Sequence, residues 1–139
     1  MIRFNLIFAL AMVALFSMTN CRSAQRYVEN GDYDAAIDHC VDKLAGKKNK
    51  PDDLVKGLEL AFKKATDRDM RAVETLTAEN RPDNWARIND IHRQIQLRQD
   101  KVNPLIPLKS KDGYEAKFMF VNIEKTRIRK PLQCCRIPL

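Results

Sequence analysis

The sequence predicts an all-α fold after its first twenty residues, and three observations favour it. Glycine is scarce, with four among 139 residues, and no stretch alternates convincingly between apolar and polar residues as a half-buried strand would. Several segments instead carry apolar residues three and four positions apart, which places them on one face of a helix. Polar breaks at 46–51 and 79–84 separate these segments. Such helices cannot bury their apolar faces alone, so we expect them to pack in pairs.

Residues 1–20 predict a secretory signal. Arg3 is their only charge, and an unbroken run of eleven apolar residues, LIFALAMVALF, extends from Leu6 to Phe16. Eleven apolar residues are too few to span a bilayer as a helix, whereas a charged start and a short apolar core are typical of an export signal. Ser17, Met18, Thr19 and Asn20 then lead to Cys21.

The motif SMTNC (17–21) resembles the lipobox of bacterial lipoproteins, with Met18 and Asn20 where the usual pattern prefers Leu and a small residue. Looser lipoboxes of this kind are similar to those of Bacteroidetes. The resemblance implies that the thiol of Cys21 is acylated and becomes the new N-terminus, with two or more chains anchoring the protein stably. The alternative is an ordinary secretory signal with an incidental cysteine nearby.

The distribution of charge along the chain argues against a nucleic-acid partner. The formal net charge is +7, and it falls to +6 without residues 1–20. Residues 126–139 hold four of these positive charges and no acid. A basic chain raises nucleic acid or an anionic membrane as a partner. Because the excess lies at one end and an export signal precedes the domain, we expect no nucleic-acid binding.

Four helices are predicted in order along the chain. The first covers Asp34 to Leu44 and ends near Gly46, and the second begins at Asp52 and Asp53, where acids suit the positive end of the helix dipole. A third, short helix follows Asp67, so that the acids at 52–53 and 67–69 are interpreted as helix caps. Asp83 or Asn84 caps the fourth. The apolar faces are Ala36, Ile37, Cys40, Val41 and Leu44; Leu54, Val55, Leu58, Ala61, Phe62 and Ala65; Met70, Val73 and Leu76; and Trp85, Ile88, Ile91, His92 and Ile95.

The segment AQRYVENGDYDAAIDHCVDKL (24–44) resembles a tetratricopeptide repeat, in which a GDY-type turn joins two helices and a small residue opens the second. The matching residues are Tyr27, Gly31, Asp32, Tyr33, Ala36 and Leu44, while Lys43 replaces a small residue. NWARINDIHRQI (84–95) repeats the start of the unit, with Trp85, Ile88 and His92 in place and Asn89 replacing a small residue. The resemblance implies antiparallel helix pairs over residues 21–103. An unrelated small helical bundle is the alternative.

The C-terminal part follows a different pattern. Prolines at 104 and 107 favour an extended linker, and YEAKFMFVNIEK (114–125) fits a short strand or the start of another helix equally well. Residues 104–125 are therefore interpreted as a linker with an ambiguous element. Residues 126–139 are expected to form an irregular basic tail. Because a repeat array needs about three units, we hypothesise a slipped frame or a truncation near Lys125, with a genuine disordered tail as the alternative.

No catalytic constellation, cofactor motif or metal-ligand spacing is found. His39 and Cys40 are adjacent and point about 100° apart on a helix, and Cys40 lies on an apolar face where a thiol is normally inert. Groove-facing positions implied by the repeat resemblance favour protein or peptide binding instead. The candidate partner-binding residues are Lys56, Lys63, Lys64, Asp83, Asp90 and Arg93.

The leading functional hypothesis is a non-enzymatic, membrane-tethered scaffold in the bacterial envelope. Arg22 after the lipidated cysteine, rather than an aspartate, favours the outer membrane by resemblance. Two alternatives stay open. The chain could be a fragment of a larger envelope protein whose C-terminal part carries the activity, or an accessory of outer-membrane assembly.

Overall fold

The computed structural model describes residues 22–123, which form an all-α domain as predicted. Four helices follow in order: α1 (Arg22–Glu29), α2 (Tyr33–Leu44), α3 (Asp52–Ala78) and α4 (Asn84–Val102). A single 3-10 turn, Asn103–Leu105, closes α4. Helix α3 lies at the centre, because it packs against each of the other three helices.

A three-residue turn joins α1 to α2 and makes them a packed hairpin. Gly31 takes φ +79°, a left-handed conformation that costs a glycine little. The carboxylate of Asp32 then accepts a hydrogen bond from the Ala35 backbone N–H at 3.4 Å, so that it caps α2. The predicted apolar face of α2 is confirmed, since Ala36, Ile37, Cys40 and Leu44 are all buried.

Helix α3 is one continuous helix of 27 residues, so the predicted boundary near Asp67 is wrong. No glycine or proline interrupts residues 58–78, and the apolar face continues at the same spacing through Val73 and Leu76. Asp52 and Asp53 do lie in its first turn, as expected. Asp69 lies in the middle of the helix and is buried, so it caps nothing.

Helix α4 begins where the sequence predicted, directly after Asp83. Asp83 makes no side-chain capping bond. The Asn84 side chain instead donates to the Leu76 carbonyl at 3.0 Å and to the Glu79 carboxylate at 2.8 Å. Asn84 therefore ties the start of α4 to the end of α3, and it is buried while doing so.

Residues 106–123 do not behave as a free linker, because they return across the helices and contribute to the core. Leu108 is completely buried and Ala116 nearly so. The Ala116 N–H donates to the Leu108 carbonyl at 3.0 Å, and Lys109 and Glu115 form an isolated antiparallel bridge. From Ala116 to Asn122 the described chain forms neither a strand nor a helix. We call residues 116–123 the strap.

The described residues contain two apolar clusters. The larger unites α1, α2, the first half of α3, the end of α4 and the strap, whereas the smaller joins Val73 and Leu76 of α3 to Ile88 of α4. In the larger cluster the ring of Phe62 packs edge-on against Phe118, with ring centroids 5.3 Å apart, and against Phe120 at 5.8 Å. These contacts hold the strap on α3.

Several predictions concern residues outside 22–123. They are the signal segment 1–20, the lipidation site Cys21 and the basic tail 126–139.

Candidate functional site

A four-residue ion-pair network fixes the relative positions of α2, α3 and α4. The Arg98 guanidinium of α4 lies 2.8 Å from the Asp34 carboxylate of α2 and 3.0 Å from the Asp69 carboxylate of α3. Arg68 completes the ring, at 2.9 Å from Asp69 and 3.4 Å from Asp34. The hydrogen bond to Asp69, and a weaker one to Asp34, raise the pKa of Arg68. Two positive and two negative side chains alternate, so the cluster is neutral.

The network was not predicted, although the sequence contains a signal for it. Arg98 lies three residues after Ile95 on the apolar face of α4, and Asp69 lies four residues after Ala65 on that of α3. A charged residue inside an apolar helical stripe needs a buried partner, because desolvation of an unpaired charge is costly. An aspartate and an arginine at such positions could therefore have been predicted to form an ion pair.

A groove with a volume of about 750 Å³ lies between α4 and the strap. Its α4 wall is mostly polar, whereas the strap contributes largely apolar side chains. The groove is lined by Asn89, Asp90, His92, Arg93, Gln96, Phe120, Val121, Asn122 and Ile123. A mixed lining of this kind suits a peptide or protein segment better than a purely apolar ligand.

Gln99 positions the strap wall of this groove. Its side-chain oxygen accepts a hydrogen bond from the Val121 backbone N–H at 2.6 Å, and its side-chain nitrogen donates to the Val121 carbonyl at 3.3 Å. One amide thus satisfies both backbone groups of a strap residue, as a neighbouring strand would. Gln99 is itself buried, so the clamp has little freedom to move.

Two predicted partner-binding residues, Asp90 and Arg93, meet at the groove. They form a long ion pair of 3.8 Å, and both side chains are more than 70% exposed, at 73% and 72%. Such a pair is weak and can exchange its partner for a ligand group. Asp83 lies apart from them, at the N-terminus of α4.

The three predicted lysines of α3 do not reach this groove. Lys56 is engaged within the chain, since its ammonium lies 2.6 Å from Asp52 and 5.0 Å from the centre of the Tyr114 ring. Lys63 lies 3.7 Å from Asp67 and lines a smaller cavity on the α3 side of the strap. Lys64 is exposed on α3. The six predicted residues are therefore not a single site.

The turn at Tyr114 is held by coupled polar contacts with the start of α3. A hydrogen bond from Lys56, and then one from Ser110, lower the pKa of Asp52, while Asp52 raises the pKa of Lys56. The Tyr114 hydroxyl donates to the Glu59 carboxylate, which raises the pKa of that phenol. These contacts lie on the surface and serve to fix the turn.

Cys40 is a buried free cysteine, in agreement with the sequence prediction of a thiol on a core face. Burial raises its pKa from 9.0 to about 11, so it is a poor nucleophile at neutral pH. Within residues 22–123, no cluster of three or more histidine, cysteine or acidic side chains could hold a metal ion.

Comparison with protein-family models, with curated proteins and with solved structures finds no match to this chain. In the described part of the chain, none of the helices has both the length and the apolarity that crossing a bilayer requires.

Proposed function

We propose that the chain is a membrane-anchored lipoprotein that acts as a non-enzymatic protein-interaction scaffold in the bacterial envelope, with the outer membrane favoured. The observation that carries the proposal is the order of its parts. A signal-like segment ends at Cys21, and the helical domain starts at the next residue, Arg22. An acyl anchor on Cys21 would hold the domain directly at the membrane surface.

The helical hairpin of α1 and α2 supports a tetratricopeptide-like unit. Ala36 is completely buried, as expected of the small residue that lets two helices approach. Gly57 of α3 is also close to the hairpin, because a Cβ placed on it would lie 3.7 Å from Ala24 and 3.8 Å from the sulfur of Cys40. On this proposal the groove between α4 and the strap receives a protein or peptide segment from a partner.

Metabolic labelling with radioactive palmitate tests the anchor. We expect label and membrane fractionation in the wild-type chain and in Cys40→Ala, and loss of both in Cys21→Ala. Cys40→Ala is the matched control because it also removes one cysteine. A wild-type chain that takes up no palmitate and fractionates like Cys21→Ala would refute the lipoprotein.

Site-specific photo-crosslinking in cells tests the partner surface. A photoreactive residue at Asn89 should yield a discrete crosslinked species, because Asn89 is exposed and lines the groove. The same residue at Lys64, which is exposed on α3, should not. The double variant Asp90→Ala, Arg93→Ala should weaken the Asn89 crosslink. Equal crosslinking from both positions would contradict a partner in this groove.

A further inference from the structure

One end of the helical domain carries four lysines that form no ion pair with the described residues. Lys47, Lys48 and Lys50 lie in the loop between α2 and α3, and Lys111 lies in the turn before Tyr114. The Lys111 backbone N–H donates to the Lys50 carbonyl at 2.9 Å, so the turn contacts the loop. Lys50 is partly exposed and the other three lysines are exposed. We call these four residues the basic end.

The acids around the basic end do not neutralise it. Asp52 and Glu115 each have a lysine ammonium group of their own, at 2.6 Å and 3.3 Å, from outside the four. The other charges of segments 42–53 and 109–115 are five lysines and three aspartates, which leave a net charge of +2. Residues 43–51 contain four of these lysines and no acid, so the positive charge is concentrated in the loop.

The basic end lies at the same end of the domain as the start of α1, which directly follows Cys21. Helices α1 and α2 form a packed hairpin, so α1 begins beside the place where α2 ends and the loop starts. The first turns of α1 and α3 also line one pocket, with Ala24, Gln25, Asp53 and Leu54 among its residues. An anchor on Cys21 would therefore hold the basic end next to the membrane.

We propose that the basic end binds the anionic phospholipid headgroups of the membrane that holds the anchor. The inference rests on the proposed acyl anchor at Cys21, to whose membrane affinity a basic surface adds. A lysine close to an anionic bilayer strengthens binding about fivefold, and salt weakens the attraction. The start of α4 then faces away from the lipid, because the 27 residues of α3 span about 40 Å between the two ends.

Vesicle binding by the full chain with Cys21→Ala tests the basic end without the anchor. The vesicles contain phosphatidylcholine alone, or phosphatidylcholine and phosphatidylglycerol in equal amounts. With a net charge of +2, binding to the anionic vesicles at low ionic strength should be about 25-fold tighter, and added salt should reduce this ratio. Partition of the apolar run 6–16 adds to the binding of both vesicle types, so the ratio between them reports the lysines.

Two paired variants, both made with Cys21→Ala, localise the effect. Lys47→Gln with Lys48→Gln should bring the ratio between anionic and neutral vesicles close to one, because it removes a charge of +2 from the loop. Arg81→Gln with Arg87→Gln is the matched control. It removes two exposed positive charges from the opposite end of the domain and should retain most of the ratio.

The orientation is tested by quenching of tryptophan fluorescence with brominated phospholipids. Trp85 is the only tryptophan of the chain and lies in the first turn of α4, so it should not be quenched in the bound protein. Asn49→Trp combined with Trp85→Phe moves the reporter between Lys48 and Lys50, where it should be quenched. Equal quenching at the two positions would contradict the proposed orientation.

Three binding results would overturn the basic end as a lipid-binding surface. They are equal binding to the two vesicle types, equal losses from the lysine and arginine pairs, or lysine-dependent binding of a DNA duplex at a salt concentration where vesicle binding is absent. Palmitate labelling of the wild type tests the anchor separately. A labelled wild type whose vesicle binding does not depend on the lysines refutes the basic end, and the reverse pair of results refutes the anchor.

Discussion

Arg98 and Asp69 form an ion pair inside the domain, with 3.0 Å between Nη2 of the arginine and Oδ2 of the aspartate. Only 3% of the Arg98 side chain and 11% of the Asp69 side chain are exposed. Arg98 thereby links the central helix α3 to α4, and through Asp34 also to α2. Removal of either residue would leave the other charged and poorly hydrated.

Arg98→Met should lower the free energy of unfolding by about 3 kcal/mol, because it leaves the buried Asp69 carboxylate with only the half-exposed Arg68 as its partner. The double variant Arg98→Met, Asp69→Leu should regain much of the loss, since an apolar pair avoids desolvating charges. Urea unfolding followed by circular dichroism measures both.

Arg93→Met is the control for this pair, because Arg93 is 72% exposed and its ion pair with Asp90 spans 3.8 Å. It should change the free energy of unfolding by less than about 0.5 kcal/mol. An Arg98→Met variant as stable as Arg93→Met would show that the network does not hold the helices.

Leu108→Ala should destabilise the domain by about 3 kcal/mol, because the side chain is completely buried in the larger apolar cluster and its removal leaves a cavity. Leu97→Ala removes the same atoms from a side chain that is 50% exposed, and should cost under about 1 kcal/mol. Thermal unfolding of the two variants compares them directly. Equal stabilities would mean that residues 106–123 are a linker after all.

Gly57→Ala should stabilise the domain by about 0.5–1 kcal/mol, since alanine is the better helix former and its Cβ would meet neighbours at ordinary contact distances of 3.7 and 3.8 Å. Gly31→Ala is the opposite case, because Gly31 has φ +79° and a side chain there is strained. It should be destabilising by about 1 kcal/mol. Denaturant midpoints measure both, and a destabilised Gly57→Ala would indicate that the α1–α3 contact cannot accept a methyl group.

The free energy of unfolding should fall as the pH rises from 9 to 11, because of Cys40. An ordinary cysteine thiol has a pKa of 9.0, whereas burial raises the pKa of Cys40 in the folded protein to about 11. The folded state keeps its proton while the unfolded thiol ionises, so the contribution is complete below pH 9 and is lost up to about pH 11. Over these two pH units the free energy of unfolding should fall by about 2–3 kcal/mol.

The free energy of unfolding of Cys40→Ala should therefore fall less between pH 9 and 11 than that of the wild type. The other cysteines, the lysines and the tyrosines titrate in both proteins and contribute equally to the two curves. Unfolding free energies at pH 8, 9, 10 and 11 give the two slopes. Parallel curves would show that Cys40 ionises as easily in the folded state as in the unfolded one.

The pattern of apolar residues predicted the local structure well. The faces of α2 and α4 and the start of α3 follow from the spacing of residues such as Ile37, Val55 and Ile88, which depends only on helical periodicity. The position of the α1–α2 turn follows from Gly31 and Asp32. The predicted break near Asp67 was wrong because an acidic residue can either cap a helix or pair inside one, and the local sequence does not distinguish the two.

The sequence by itself determined that this chain forms amphipathic helices, which faces they bury and where most of them begin, because these properties arise from residues a few positions apart. Only the tertiary structure decided that Arg98 pairs with Asp69, that Gln99 clamps Val121, and that the strap forms one groove with α4 and one cavity with α3. Those relationships join residues that are 22 or more positions apart, and such contacts form only when the whole domain has packed.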